Sequence, residues 1–160
     1  MENNAKTDGK SPFAKLRHIA IAVKDMEQAV QFYSSVGIGP FITPPQRLHH
    51  TGGYVSRTFK GKPMAVVDLI VREAKLGPLV LQLVQVVSGD CIYTEFLEKK
   101  GEGVQHLGFV VDDIDKEEDQ ALKLELKITQ RGRRGDGSGN TYFDTEALGG
   151  ITLEIRDGTD

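Results

Sequence analysis

His18 and His106 each stand third in two stretches that read almost alike, LRHIAIAVKDMEQA from Leu16 to Ala29 and VQHLGFVVDDIDKE from Val104 to Glu117. Further along each copy, LVLQL (Leu79–Leu83) matches ITLEI (Ile151–Ile155), which sets Gln82 against Glu154. Two imidazoles, an amide oxygen and a carboxylate form a mixed nitrogen and oxygen donor set. Such a set suits a borderline divalent metal, with water or substrate filling further positions. No thiolate belongs to it, which argues against a structural zinc knot. Taken singly, each residue has a plainer reading: strand histidines are often part-buried and simply hydrogen-bonded, and a strand glutamate commonly faces solvent. The coincidence of four donors at equivalent places in two matched copies favours a shared site.

Alternation places these donors. Successive side chains of a strand point to opposite faces. Ile19, Ile21 and Val23 therefore oppose His18, Ala20 and Ala22, and Leu107, Phe109 and Val111 oppose His106, Gly108 and Val110. In the later pair, Leu79, Leu81 and Leu83 oppose Val80, Gln82 and Val84, while Ile151, Leu153 and Ile155 oppose Thr152, Glu154 and Arg156. Each histidine lies on the face with the smaller residues. The bulky faces are expected to pack on helices, and the other faces to leave a hollow where His18, Gln82, His106 and Glu154 converge.

Two copies are too few for a solenoid, so they are expected to pair with each other. Each reads as strand, helix, then several strands. Residues 16–24 alternate as a strand. Asp25 is a helix N-cap, Met26, Ala29, Val30, Tyr33 and Val36 recur at helical spacing, and Gly37 and Gly39 end the helix. Strands are expected near 64–72 and 78–86. DCIYTEFLEKK reads as a linking helix capped by Asp90. A strand at 104–112 repeats the first, and a helix follows Asp113, although Leu122, Leu124 and Leu126 also fit a period of two. RGRRGDGSGN (Arg131–Asn140) reads as a basic, glycine-rich loop, with strands at 141–145 and 150–156. The resulting division is a tail over 1–13, a first module over 14–88, a linking helix within 89–102 and a second module over 103–157.

Composition narrows the classes. The chain has 160 residues, 39% hydrophobic and 27% charged, the balance of one soluble domain. A net charge of −3 offers no broad basic surface, so no nucleic-acid partner is expected. No apolar run reaches about 18 residues, so no membrane span is expected. The polar MENNAKTDGKSP start lacks the apolar centre of a signal peptide, and the single Cys91 fits a reducing compartment, so a cytoplasmic location is expected. Cys91 has no base in its local sequence and is not read as a nucleophile. His49 and His50 are adjacent on an extended stretch and read as loop residues. Arg131, Arg133 and Arg134 either hold an anionic substrate group or belong to a solvated loop. GDGSGN lacks the lysine of a Walker-type phosphate loop. Tyr142 and Phe143 either line the hollow or pack.

The motifs HIAIAVKDMEQAVQFY, LVLQLVQ, FLEKKGEGVQHLGFVVDDID and YFDTEALGGITLEI, spread over about residues 14–157, resemble the vicinal oxygen chelate superfamily. That family includes glyoxalase I, methylmalonyl-CoA epimerase, extradiol dioxygenases and the fosfomycin and bleomycin resistance proteins. The resemblance implies an α+β fold in which paired βαβββ modules form a cupped mixed sheet around a metal. It carries ligand roles onto His18, Gln82, His106 and Glu154, in an order most like the epimerase branch. The cofactor implied is a divalent metal ion, one of Co, Ni, Zn, Mn or Fe. The activity implied is abstraction of a proton next to a carbonyl, with Glu154 as a base and a second, non-ligating carboxylate on the strand before the glutamine. Asp68, in AVVDLIV, is the best match to that second position, one methylene shorter than the glutamate of the epimerases. A small-molecule substrate, acyl-CoA-like for an epimerase, and a homodimer are expected. A glyoxalase-like lyase, an extradiol-type dioxygenase and a metal-free binding or resistance protein remain alternatives.

Overall fold

The computed structural model describes residues 11–45 and 53–158. In chain order its elements are β1 (Leu16–Val23), α1 (Met26–Ser35), β2 (Tyr54–Phe59), β3 (Lys62–Pro63), β4 (Asp68–Leu76), β5 (Leu79–Ser88) and α2 (Ile92–Lys100). The second half follows with β6 (Gly103–Val111), α3 (Ile114–Lys123), β7 (Ile128–Arg134), β8 (Gly139–Phe143), α4 (Glu146–Gly149) and β9 (Thr152–Asp157). His49, His50 and residues 1–10 of the expected tail lie outside the described residues.

All nine strands join one mixed sheet in the order β3-β2-β7-β8-β9-β6-β1-β5-β4. The matched strands β1 and β6 lie side by side and antiparallel near its middle. Each also pairs in parallel with the strand that closes its own half, β1 with β5 and β6 with β9. The expected α+β architecture of two paired halves is therefore present. The two halves exchange one piece: β2, from the first half, pairs antiparallel with β7 of the second. At the opposite edge Ile42 takes a short bridge to β4, its N–H and C=O exchanging 2.9 Å hydrogen bonds with those of Glu73.

The bulky faces do what alternation requires. α1 covers one side of the first half, where Val23, Met26, Leu81 and Leu83 are buried with Ile21, Ala29 and Val30 packed on them. α3 covers the second half, over Val111, Ile114, Ala121, Phe143 and Ile155. Burying such side chains contributes roughly 1.5–3 kcal/mol each, which is why the helices dock there. The opposite, inner face is closed at one end by α2, whose Ile92 and Tyr93 pack on Ala22, Val71, Val84 and Tyr142.

Three details differ from the sequence reading. The cap of α2 is Cys91, with no side-chain cap bond, rather than Asp90; the Ile92 N–H instead donates to Gln130 Oε1 at 3.2 Å. The Asp25 and Asp113 caps are as expected, accepting from the N–H groups of Gln28 and Lys116 at 2.9 and 3.1 Å. The Arg131–Asn140 stretch is mostly paired strand rather than loop, because β7 and β8 form a hairpin through it. Arg131 and Arg133 face α3, where both bind Glu118 and Asp115. Their two-residue spacing on a strand puts them on the helix side, so these two arginines are engaged in ion pairs with α3.

Candidate functional site

Register brings the four donors into two parallel rows across the sheet. In one row, His18 pairs with Gly108, which pairs with Glu154. In the next, Gln82 pairs with Ala20, which pairs with His106. Directly opposed residues share a face, so all four side chains stand on the inner side, each pair separated by one small residue. Gly108 is essential to this. A Cβ there would lie 2.0 Å from His18 Cε1 and 2.5 Å from both ring nitrogens. The missing side chain is the space through which the His18 imidazole reaches Glu154, two strands away.

The result is a tight, buried cluster. His18 Nε2 lies 2.9 Å from His106 Nε2, and Glu154 Oε2 lies 3.1 Å from the first and 3.2 Å from the second. These three residues form a group whose ligand atoms lie within 4.8 Å of one another. Glu154 Oε2 is buried yet accepts no hydrogen bond of good geometry among the described residues. The His106 ring is turned by Gln105, whose Oε1 lies 2.6 Å from His106 Nδ1. With Nδ1–H donating to that oxygen, the Nε2 lone pair faces the cluster.

Electrostatics agree with the geometry. Burial pushes the His106 pKa below its ordinary value and so favours a neutral ring, despite the pull of Glu154. Burial alone would push Glu154 upward. The adjacent His106 and His18 outweigh it and hold the carboxyl well below the usual carboxylate range, ionised. Tyr142 is pushed well upward by burial and then by the Glu154 charge, so its hydroxyl keeps its proton.

The donor set fits a divalent metal. Two imidazole nitrogens and an ionised oxygen converge on one point, and the buried oxygen lacks a hydrogen-bond partner that would explain it. Ligand atoms about 2.0–2.2 Å from one ion, at tetrahedral or octahedral angles, stand roughly 2.9–3.5 Å apart. The three separations fall within that range.

Gln82 lines a narrow polar cavity together with Glu154, Glu73, Tyr54, Tyr142, Asn140, Arg134 and Arg156. Its Nε2 donates to Glu73 Oε1 at 2.7 Å. That bond turns the amide nitrogen toward Glu73 and leaves the amide oxygen for another partner. Asp68 is placed elsewhere. It pairs with Ser88 at the start of β4, five residues from Glu73 and so about 16 Å along the strand. Glu73 is thus a cavity residue that reading along the chain missed. A signal for it existed. Leu76 pairs with Leu79 across Gly77-Pro78, and Gly77 has φ +61°, as a two-residue hairpin turn with glycine first requires. Three residues back from that turn on each side, Glu73 meets Gln82.

Of the remaining candidates, Tyr142 lines the cavity and Phe143 packs against α3. Cys91 is buried in the core under α2. Arg134 stands on the opposite face of β7 from Arg131 and Arg133. Its guanidinium lies 4.4 Å from the Tyr54 ring centroid, and Tyr54 in turn lies where a Gly132 side chain would be.

The chain belongs to the glyoxalase/bleomycin resistance protein/dioxygenase superfamily, whose family model matches residues 17–143. Within it, the chain is 25% identical over 150 residues to the mitochondrial methylmalonyl-CoA epimerase of Homo sapiens, covering 89% of this chain and 73% of that protein. The Mus musculus protein of the same description is 26% identical, with 89% and 72% covered. In structure, the fold matches Streptomyces coelicolor methylmalonyl-CoA epimerase in complex with 2-nitronate-propionyl-CoA, with a TM-score of 0.65 and 22% identity, over 91% of this chain and 98% of that one. Methylmalonyl-CoA epimerase from Mycobacterium tuberculosis matches with a TM-score of 0.60 and 20% identity, over 94% and 92%. Among the described residues, no helix is long and apolar enough to cross a membrane.

Proposed function

We propose that this protein is a divalent-metal-dependent epimerase that moves a proton on the carbon next to a carbonyl. The observation that carries the reading is the cluster of His18, His106 and Glu154, the last of which also lines a cavity with Gln82 and Glu73. His18, His106, Glu154 and the amide oxygen of Gln82 would hold the ion. When bound, such an ion polarises a substrate carbonyl and makes the adjacent C–H more acidic.

The proton handling belongs to the chain's own carboxylates. Glu154 directs Oε2 at the two histidines, leaving Oε1 for a proton. Glu73 directs Oε1 at Gln82, leaving Oε2. Two carboxyl groups, each with one oxygen committed and one available, suit inversion. One removes the proton from one side of the carbon, and the other, entering the cycle protonated, delivers its own proton to the opposite side. The geometry favours Glu73 over Asp68 for the second position. Tyr142, kept protonated, contributes a neutral hydroxyl to the same wall. The similarity to methylmalonyl-CoA epimerases supports an acyl-CoA-like substrate for this reading, and a homodimer remains an expectation of it.

The test is exchange in heavy water. Metal-reconstituted protein is expected to incorporate deuterium into an acyl-CoA ester or 2-oxo compound at the carbon beside the carbonyl, and EDTA-treated protein is not. Oxygen uptake without exchange would instead favour the extradiol-type reading, for which two histidines and one carboxylate suffice. Failure to bind any divalent metal after reconstitution would refute both.

A further inference from the structure

Tyr142 stands on β8 directly across from Glu154 on β9, and directly opposed residues share a face. Its ring is buried, 3% exposed, and meets the His106 imidazole edge-on, with centroids 5.1 Å apart and planes at 85°. Strand register and ring packing together fix the side chain in the wall that Glu73, Gln82 and Glu154 also line.

The hydroxyl has one proton and two lone pairs. Asn140 Nδ2 can only donate, so its 3.4 Å contact uses a lone pair. The other contact is the Tyr93 hydroxyl, also at 3.4 Å, whose ring packs in the cluster beneath α2. An O–H···O hydrogen bond is usually about 2.7–2.8 Å long. Among the described residues, then, neither contact is a close acceptor for the Tyr142 proton. The charged donors of the same cavity are engaged differently. Burial opposes the Arg156 charge while the charges of Glu154 and Glu73 support it, and Arg134 Nη2 donates to the Tyr54 hydroxyl at 3.2 Å. Tyr142 is a neutral donor with a loosely held proton, across from one carboxylate and in one cavity with the other.

We propose that the Tyr142 hydroxyl is a further catalytic group, donating a hydrogen bond to the substrate oxygen that gains negative charge when the adjacent carbon loses its proton. This deepens the epimerase reading and rests on it. One carboxylate takes the proton, the C–H electron pair moves into the C–C bond, and the carbonyl π pair moves onto oxygen. Tyr142 keeps its own proton throughout and tightens its bond to that oxygen. When the opposite carboxyl group returns a proton to carbon, the electron pairs move back and the bond to Tyr142 loosens. Because this bond is strongest while the oxygen is charged, it lowers the barrier more than it tightens substrate binding.

The test sets oxalate, a planar dianion that resembles such an enolate, against pyruvate, whose ketone oxygen is neutral. Binding of each to metal-reconstituted protein is measured by calorimetry. Tyr142→Phe removes one oxygen and keeps the ring, and Tyr93→Phe removes the neighbouring hydroxyl. Wild type is expected to prefer oxalate. Tyr142→Phe is expected to lose at least about tenfold in oxalate affinity, with pyruvate affinity and metal content within about twofold of wild type. Tyr93→Phe is expected to stay within about twofold on all three measures. In heavy water, Tyr142→Phe is expected to lower kcat for exchange by about 10–10³-fold and leave KM unchanged. Undiminished oxalate affinity in Tyr142→Phe, equal losses in the two variants, a parallel loss of metal, or no preference for oxalate in wild type would each overturn the proposal. Exchange keeps the two ideas apart. Oxalate discrimination that depends on Tyr142, without exchange on any acyl-CoA ester or 2-oxo compound, would sink the epimerase reading and keep the donor. Exchange in wild type that continues at an equal rate in Tyr142→Phe would do the reverse.

Discussion

His18 and His106 occupy equivalent registers on β1 and β6, yet the two halves use them differently. His106 is fixed from several sides. Gln105 holds Nδ1, and the Tyr142 ring meets it edge-on at 5.1 Å. His18 leans across its neighbour strand over Gly108, where no side chain can fit. The first half contributes an imidazole and an amide, His18 and Gln82. The second contributes the ionised donor, Glu154. The two halves supply matched backbone frames that meet where β1 pairs with β6. The chemistry comes from what differs between them: which half bears the charge, and which strand carries a residue small enough to be crossed.

The sharpest break of that comparison is His106→Ala, which removes the better-held of the two candidate ligands. Metal content should fall below stoichiometric and exchange by about a hundredfold or more, with far-ultraviolet circular dichroism showing the fold retained. Retention of both metal and exchange would mean that His106 is not a ligand. Next comes the pair Glu73→Gln and Asp68→Asn. Loss of a proton-transfer group costs about 10²–10⁴-fold, so the first variant should lose exchange on that scale with metal retained, and the second should stay within about twofold. The opposite ranking would return the second carboxylate role to Asp68. Gln105→Ala should weaken metal affinity by about 10–100-fold through loss of the His106 orientation, measured by competition with a chelator. The smallest effects compare the two crossing points by chemical denaturation. Gly108→Ala forces the His18 ring away and should cost about 1–3 kcal/mol together with metal affinity. Ala20→Gly should cost about 0.5–1 kcal/mol and leave metal binding unchanged. Equal stability costs at the two positions would remove the special role assigned to Gly108.

Where the candidate site residues stand was largely legible from spacing. His18, His106 and Glu154 were assigned by parity and repetition, and the structure brings them within 3.2 Å of one another. Parity works because it is local: a strand residue's face follows from its neighbours whatever the strand pairs with. Gln82 reached the same cavity for the same reason. Glu73 was hidden because AVVDLIV was matched along the chain, whereas its role depends on which residue lies across the hairpin. Reading outward from the Gly77-Pro78 turn recovers it. The arginines were misjudged because the Arg131–Asn140 composition suggests a loop, and glycine-rich hairpins share that composition. Two of the three turned to α3, and another arginine lining the cavity, Arg156, lay in an ordinary strand.

What the sequence determined by itself was periodicity: two repeated halves, their strands and helices, and the faces on which the donors stand. Those follow from backbone stereochemistry and the hydrophobic pattern, both of which act within a few residues. What only the tertiary structure decided was neighbourhood. β2 left its own half to pair with β7 and brought Tyr54 beside Arg134, and Gly108 was set beneath His18. Strand partners are chosen by packing and hydrogen bonding among segments far apart in the chain, and no local pattern of residues encodes that choice.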